Sequence, residues 1–261
     1  MRVELARSES QARWAYLRPL TGHDELALDL DSDHGGNWLL QRLLDDQPGA
    51  ALGPAGLGGL NVANRDRLLA AVFGACFGEN VDGATRCAHC GEDFEFHFTL
   101  PALAAYQDAV DAAPAEGPDA EGYYRLEGVR FRLPTIADLD AVGGLPDDRA
   151  IPALLDRCVA PEGARTDVGS IQDAMERLAP SLDLDIEASC PNCTETTTIA
   201  FSLESFLMQA LAQERRFLTI EIHRLAAAYS WSLDEILRLS RDDRRSLVRL
   251  VEIERFGRGG R

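Results

Sequence analysis

Apolar residues recur at helical spacing in several parts of the chain. From Asp66 to Phe77 they form one stripe, and from Leu203 to Tyr229 they continue over the length of a long amphipathic helix. Two shorter helices are predicted to follow, because Ser232 and Ser240 each precede an acidic residue by three positions, the spacing of a helix start. The C-terminal part of the chain is therefore predicted to be a helical segment.

Other segments alternate between apolar and polar residues, the pattern of a half-buried strand. The alternation occurs over residues 94–98 and 182–186, and also on both sides of Glu127-Gly128 within Tyr123–Leu133, which predicts a hairpin. A helix is predicted directly after this hairpin, with Thr135 as its N-cap and Asp138 as capping partner. Strand pairs interspersed with helices predict an α+β fold.

Three segments of different character divide the chain. Residues 1–62 are predicted to be an N-terminal extension that ends in a flexible Gly- and Pro-rich linker, because glycine and proline interrupt regular structure. Residues 63–202, which contain two C-x-x-C pairs of a kind that can bind zinc, are predicted to be a zinc-binding α+β core with an inserted hairpin and helices. Residues 203–261 form the predicted C-terminal helical segment.

Four of the six cysteines form two C-x-x-C pairs, Cys87 with Cys90 and Cys190 with Cys193. Such a turn presents two thiolates to one ion, and zinc takes four ligands in a tetrahedron. Both pairs lead into predicted strands, as in the β-hairpins of a zinc ribbon. Although 99 residues separate the pairs, we predict that all four cysteines hold one Zn²⁺ in a split site. Four thiolates leave no open coordination position, so the predicted ion is structural.

Other roles for these cysteines stay open at the level of sequence. They could be two redox pairs, although a thioredoxin-like site needs its C-x-x-C at a helix start, or they could be reduced buried thiols. His23-Asp-Glu25 matches half of the zinc deaminase motif, but Arg86 and Ser189 occupy the positions where that motif has proline. His89 could replace a cysteine as ligand, although we predict that it is exposed. Because metalloprotease, P-loop and serine hydrolase motifs are missing from the sequence, we predict no enzymatic activity.

The chain is acidic, with a formal net charge of −17. Nucleic-acid binding needs a basic surface, so we predict no nucleic-acid partner. No apolar run approaches the roughly 18 residues of a membrane span, and the first twenty residues lack the apolar region of a secretory signal. We therefore predict a cytoplasmic protein without a disulfide framework. Cys76 and Cys158 lie in apolar runs and are predicted to be packed in the core.

The stretch from Ile222 to Val251 contains a helix that ends in Tyr229-Ser-Trp-Ser, then a short helix and an Arg-rich helix. It resembles the closing segment of baseplate-hub proteins of contractile phages and related contractile injection systems. The Phe131-Arg-Leu-Pro-Thr turn with Asp138-Leu139 and the paired C-x-x-C knuckles are similar to the same group. The resemblance covers roughly residues 85–254. It implies a non-enzymatic baseplate-hub component or assembly chaperone whose partners are other baseplate, hub or tail proteins.

Two other classes of function fit the sequence. One is a zinc-ribbon adaptor in transcription or translation, which would need a basic face, and the other is an enzyme with an unrecognised active site. The last 49 residues carry 11 arginines against 8 acidic residues on an otherwise acidic chain. These charges fit either an ordinary solvated helix face or docking on an acidic partner. Together with the resemblance, they lead us to predict that a partner docks there. The last helix is predicted to expose a basic face and to carry its apolar residues on another face: the basic residues are Arg241, Arg244, Arg245 and Arg249, and the apolar ones are Leu247, Leu250 and Val251.

Overall fold

The computed structural model describes residues 1–5, 14–28, 35–48, 50, 52–109, 115–160 and 168–258. The helices are α1 (Gly22–Ala27), α2 (Gly35–Leu43), α3 (Val62–Phe77), α4 (Leu100–Ala109), α5 (Ile136–Val142), α6 (Asp147–Cys158), α7 (Val168–Leu178), α8 (Leu203–Tyr229), α9 (Leu233–Arg238) and α10 (Arg241–Arg258), with a 3₁₀ helix at Pro54–Gly59. The strands are β1 (Arg2–Glu4), β2 (Trp14–Tyr16), β3 (Asn80–Arg86), β4 (Asp93–Thr99), β5 (Tyr123–Leu126), β6 (Val129–Arg132), β7 (Asp183–Ser189) and β8 (Thr196–Ser202). Each described strand pairs with its neighbour in sequence, giving four two-stranded antiparallel sheets. The predicted α+β class is confirmed.

The predicted local signals form as expected. Thr135 and Asp138 make a reciprocal capping box at the start of α5. The β5–β6 turn has positive φ at both Glu127 and Gly128 (48° and 85°), the backbone that a two-residue hairpin loop requires. Helix α3 begins earlier than the apolar stripe indicates, because the Asn61 side chain caps it by accepting the N–H of Asn64.

The described elements follow the same order twice. Each series consists of a hairpin, three α-helices, a second hairpin and a helix. We call residues 1–109 the first unit and residues 115–229 the second unit. The first unit contains β1–β2, α1 to α3, β3–β4 and α4, and the second contains β5–β6, α5 to α7, β7–β8 and α8. Helices α9 and α10 follow the second unit.

A buried aspartate is held in the same way in both units, which extends the repetition to individual atoms. In the first unit, Asp24 accepts the two Nη atoms of Arg18 at 2.6 and 2.8 Å and the Thr21 hydroxyl at 2.7 Å. Nε of Arg42, from the last turn of α2, donates to the same carboxylate at 3.0 Å. Burial opposes ionisation, but the hydrogen bonds from these arginines and Thr21 outweigh it and hold the pKa of Asp24 well below its usual range.

In the second unit, Asp138 takes the place of Asp24. It accepts the two Nη atoms of Arg132 at 2.5 and 2.9 Å and the Thr135 hydroxyl at 2.7 Å. Nε of Arg157, from the last turn of α6, donates to it at 3.0 Å. The Arg132 guanidinium is the main cause of the lowered pKa of Asp138. The two units therefore share an order of elements and also an internal ion-pair motif.

One large hydrophobic cluster spans both predicted segment boundaries, at residues 62 and 202. Its buried members include Leu5, Leu68, Leu203 and Leu211. The stretch predicted to be a flexible linker contains the 3₁₀ helix, and its Leu57 is buried in the same cluster. Buried apolar side chains from the first unit and from β8 and α8 thus pack together, because removing them from water is the main gain of folding. The β5–β6 hairpin and helices α6 and α7 form a separate small core around Phe131 and Cys158.

Helix α10 is fastened to the body by buried ion pairs. Arg244 is fully buried and donates through Nε to Glu221 at 2.8 Å and through Nη2 to Glu25 at 2.6 Å. Arg241, 3% exposed, donates to Glu214 at 2.9 Å. The prediction of an exposed basic face is therefore wrong for Arg241 and Arg244. Carboxylates of α1 and α8 compensate both charges, which is what makes burial of arginine tolerable.

The remaining predicted positions of α10 divide between the interior and the surface. Val251 is buried and Leu247 half-buried, as expected of an apolar face. Leu250, predicted to lie with them, is 52% exposed. Arg245 is half-buried and ion-paired with Glu221 at 3.3 Å. The outer side of α10 therefore exposes the apolar Leu250 and lacks the complete basic face that the sequence predicts.

Candidate metal centre

Two knuckles with the same backbone form present the four predicted ligands. In the first knuckle, which joins β3 to β4, the Cys87 N–H donates to the Glu92 carbonyl at 2.9 Å. In the second, which joins β7 to β8, the Cys190 N–H donates to the Glu195 carbonyl, also at 2.9 Å. These bonds continue the strand ladders into the turns, so each C-x-x-C lies at the tip of a regular hairpin of two seven-residue strands.

Both knuckles need a left-handed residue directly after their second cysteine. Gly91 fills this position in the first knuckle with φ of 73°, and Thr194 fills it in the second with φ of 64°. In each knuckle the N–H of this residue donates to the carbonyl of the first cysteine, at 3.0 and 2.9 Å. Glycine adopts this backbone without cost, whereas a β-branched residue is strained in it. The second knuckle therefore carries backbone strain that the first does not.

The four predicted ligands come together in space. Their sulfur atoms all lie within 4.8 Å of one another. Two of these distances run between the knuckles, 3.6 Å from Cys87 Sγ to Cys193 Sγ and 3.8 Å from Cys90 Sγ to Cys190 Sγ. In a tetrahedron with metal–sulfur bonds of about 2.3 Å, neighbouring sulfurs are about 3.8 Å apart. The separation of the thiols thus fits four-coordination of one ion.

The site lies at the boundary between core and solvent. Cys87 and Cys190 are buried and pack with Phe94 in a small apolar cluster. Cys193 is half-buried and Cys90 is exposed. Each knuckle therefore contributes one thiol facing the protein and one nearer the surface, so that an ion can enter from solvent.

Hydrogen bonds set the acidity of the thiols. The backbone N–H of Cys90 and the hydroxyl of Thr197 lower the pKa of Cys87 to about 5. At Cys193 the N–H of Glu195 acts in the same direction, but burial and the neighbouring thiols outweigh it and raise the pKa to about 12. One thiolate therefore forms readily, while the accumulation of negative charge opposes further deprotonation. A metal cation among the sulfurs supplies the compensating charge.

Some groups that contact the sulfurs are not predicted by the sequence pattern. Thr197 Oγ1 lies 3.6 Å from Cys87 Sγ, and Asn192 Nδ2 lies 3.7 Å from Cys90 Sγ. Asn192 lies inside the second C-x-x-C, so its position in the turn could have indicated from the sequence that it lies near the sulfurs. Thr197 reaches a sulfur of the other hairpin, 110 positions away in sequence. Only the docking of the two hairpins brings it there.

The other candidate ligands lie apart from this cluster. His89 is exposed, as predicted, and does not belong to the group of four thiols. In the partial deaminase motif, Glu25 binds Arg244 at 2.6 Å and His23 lies 3.1 Å from Asp234. These residues tie α1 to α9 and α10, so the alternative of a deaminase-like site finds no support among the described residues.

The two remaining cysteines are in apolar surroundings. Cys158, the last residue of α6, is fully buried against the β5–β6 hairpin and α7. Cys76 is half-buried against the main core. Burial raises the pKa of both thiols to about 11. They are small core residues, as predicted, and this environment disfavours the reactive thiolate form.

In the described part of the chain, no helix combines the length and the apolar character that are needed to cross a membrane. A scan against known protein families, a search of curated proteins and a search of solved structures find no match to this chain. What the protein does therefore has to be inferred from its own residues.

Proposed function

We propose that one Zn²⁺ ion binds to Cys87, Cys90, Cys190 and Cys193 and that its role is structural. The observation that carries this proposal is the gathering of four thiols within 4.8 Å of one another by two matched knuckles. Zinc is the common ion of closed four-thiolate sites, and in such a site it has no open coordination position for a substrate. The donor set and the sulfur spacing both support it.

The position of the site explains what the ion would stabilise. One pair of ligands belongs to the first unit and the other pair to the second, and β3–β4 and β7–β8 share no strand pairing. An ion bound by both pairs joins the two units across more than 90 residues of intervening chain. Structural zinc contributes its binding free energy to folding, about 10 kcal/mol or more in small domains.

We further propose that this protein is a non-enzymatic structural or assembly component of the baseplate of a contractile phage tail or a related injection system, and that it works in the cytoplasm on other baseplate, hub or tail proteins. This part rests on the resemblance of the C-terminal stretch and of the paired knuckles. The closed thiolate set supports a non-catalytic role for the metal. Helices α8 and α10 are joined by ion pairs and offer a surface for a protein partner.

Elemental analysis of the purified full chain tests the metal. We expect about one equivalent of zinc per chain, since four ligands complete one site. Cys190→Ser and Cys90→Ser should each lose most of the metal and destabilise the protein. Cys76→Ser is the matched control and should keep the full equivalent, because Cys76 lies outside the cluster. Two equivalents, or none, would contradict the shared site.

Co-purification tests the partner class. The tagged protein would be expressed from its own gene neighbourhood, and proteins retained with it would be identified by mass spectrometry. Enrichment of sheath, tube, spike or baseplate subunits is expected, and the zinc-free Cys190→Ser variant should retain less of them. If no tail subunit is retained by wild-type protein with its full zinc content, the baseplate role is refuted while the metal site stands.

A further inference from the structure

The outer face of α10 carries apolar residues that nothing in the described chain covers. Leu250 is 52% exposed and Ile253 is 67% exposed, on the side opposite the buried Val248 and Val251. Together with the exposed Ser246 they are spaced four and three residues apart. This is the spacing of the seam residues in a coiled coil, where two helices meet along one stripe.

Two exposed charges flank this stripe, Arg249 on one side and Glu254 on the other. Within the described residues neither of them forms an ion pair. If Leu250 and Ile253 occupy the two seam positions, Arg249 and Glu254 occupy the flanking positions on either side, five residues apart. In parallel coiled coils, side chains five residues apart at these positions lie opposite each other on the two helices.

We propose that α10 is a self-association surface on which a second copy of this chain docks, with the two α10 helices parallel. Leu250 and Ile253 then meet their own counterparts, and Arg249 of each copy faces Glu254 of the other. The two charges that flank Leu250 and Ile253 favour this occupant and this direction. In an antiparallel pair each arginine would face an arginine and each glutamate a glutamate, which is unfavourable.

The mounting of α10 on the body suits this role. Arg244 and Arg241 fasten its inner face to carboxylates of α1 and α8, and Val248 packs in a small core with Leu225 and Ile236. The outer face is thus presented by a helix that is already held in place, so association needs little further ordering. The surface is separate from the thiol cluster, and the proposal does not depend on zinc or on a tail partner.

Sedimentation of the full chain at several concentrations tests the proposal. Because only a few apolar residues per copy contribute, we expect reversible association over about 10 to 500 µM. The combination of leucine and isoleucine at these seam positions also occurs in parallel bundles of more than two helices. A dimer or a larger parallel oligomer would therefore both support self-association through α10.

Substitutions on the seam and its flanks identify the surface. Ile253→Asp should weaken association at least about tenfold, since it places a charge in the seam. The control is Ile151→Asp, which changes an equally apolar residue of α6 that is 50% exposed; it should leave association unchanged. Circular dichroism and zinc content would show that both variants are folded.

Charge exchange tests the direction of the helices. At low salt, Arg249→Glu and Glu254→Arg should each weaken association about five- to twentyfold, because two attractive pairs become repulsive. The double variant should return to within about twofold of wild type. A monomeric wild type throughout the concentration range, an oligomer insensitive to Ile253→Asp, or a double variant no better than the single ones would overturn the proposal. None of these results would bear on zinc content or on co-purification with tail subunits.

Discussion

Phe98 and Phe201 occupy equivalent positions in the two knuckle hairpins and meet edge to face, with ring centroids 4.9 Å apart and an interplanar angle of 89°. Each is the eleventh residue after the first cysteine of its knuckle. Two sulfur–sulfur contacts between the hairpins, Cys87 to Cys193 and Cys90 to Cys190, exchange under the same equivalence. The hairpins therefore face each other across a local two-fold relation, with the thiols at one end and the phenylalanines at the other.

A double-mutant cycle on these rings tests whether the hairpins are coupled. Phe98→Leu and Phe201→Leu should each destabilise the protein, and the double variant should lose less than the sum. We expect a coupling energy of about 0.5–1.5 kcal/mol, as for other aromatic pairs. Chemical denaturation of zinc-saturated protein measures it. Phe131→Leu, in the separate core around Cys158, is the control and should be additive with Phe98→Leu.

The left-handed Thr194 predicts a substitution that increases stability. Thr194→Gly should raise the free energy of unfolding by about 1 kcal/mol, because glycine removes the strain of a β-branched residue at positive φ. Gly91→Ala, at the equivalent position of the other knuckle, should lower it by a similar amount. The measurement is the urea midpoint at fixed zinc. A loss of stability in Thr194→Gly equal to that in Gly91→Ala would show that the threonine side chain outweighs its strain.

Burial distinguishes two arginines of α10 that the sequence places on one face. Arg244→Met should cost about 3–5 kcal/mol, since it leaves the carboxylates of Glu25 and Glu221 buried without their main partner. Arg249→Met should change monomer stability by less than about 0.5 kcal/mol, because Arg249 is exposed. Denaturation at low protein concentration compares them. Equal effects would mean that the ion pairs of Arg244 contribute nothing.

Asp66 predicts an unusual dependence of stability on pH. It is 4% exposed and accepts the Leu182 N–H at 2.7 Å, and burial raises its pKa from 3.8 to about 6. Between these values the folded protein holds a proton that the unfolded chain has released. The contribution of Asp66 to stability is therefore full below about pH 4 and falls by about 2–3 kcal/mol as the pH rises to about 6.

Asp66→Asn isolates this contribution. The difference in free energy of unfolding between wild type and variant should change between about pH 4 and pH 6 and stay constant above it. The exposed Asp185→Asn is the control and should give a difference that is nearly independent of pH in this window. Asp24 and Asp138, whose pKa values are lowered, act in the opposite direction at lower pH and cancel in the comparison. A difference for Asp66→Asn that does not vary would contradict the raised pKa.

Local chemistry could be predicted from the sequence because neighbouring residues determine it. The capping box of Thr135 and Asp138 and the turn at Glu127-Gly128 depend on side chains and backbone within a few residues. The C-x-x-C turns likewise bring together two thiols each without help from the rest of the chain. The meeting of the two pairs depends on tertiary structure. It was predicted only from the similar strands that adjoin each pair.

The tertiary structure alone decided which polar residues are buried and which surfaces are exposed. Arg244 and Arg249 are the same residue type on one helix. Only Arg244 is buried, because it pairs with Glu25, which lies 219 positions away in sequence. The repetition of the two units leaves only a faint trace in the sequence, because few residues persist in both: the two arginines, the threonine and the aspartate of the ion-pair motif, and the C-x-x-C pair. Long-range contacts select such partners by geometry and charge compensation, which residue order does not contain.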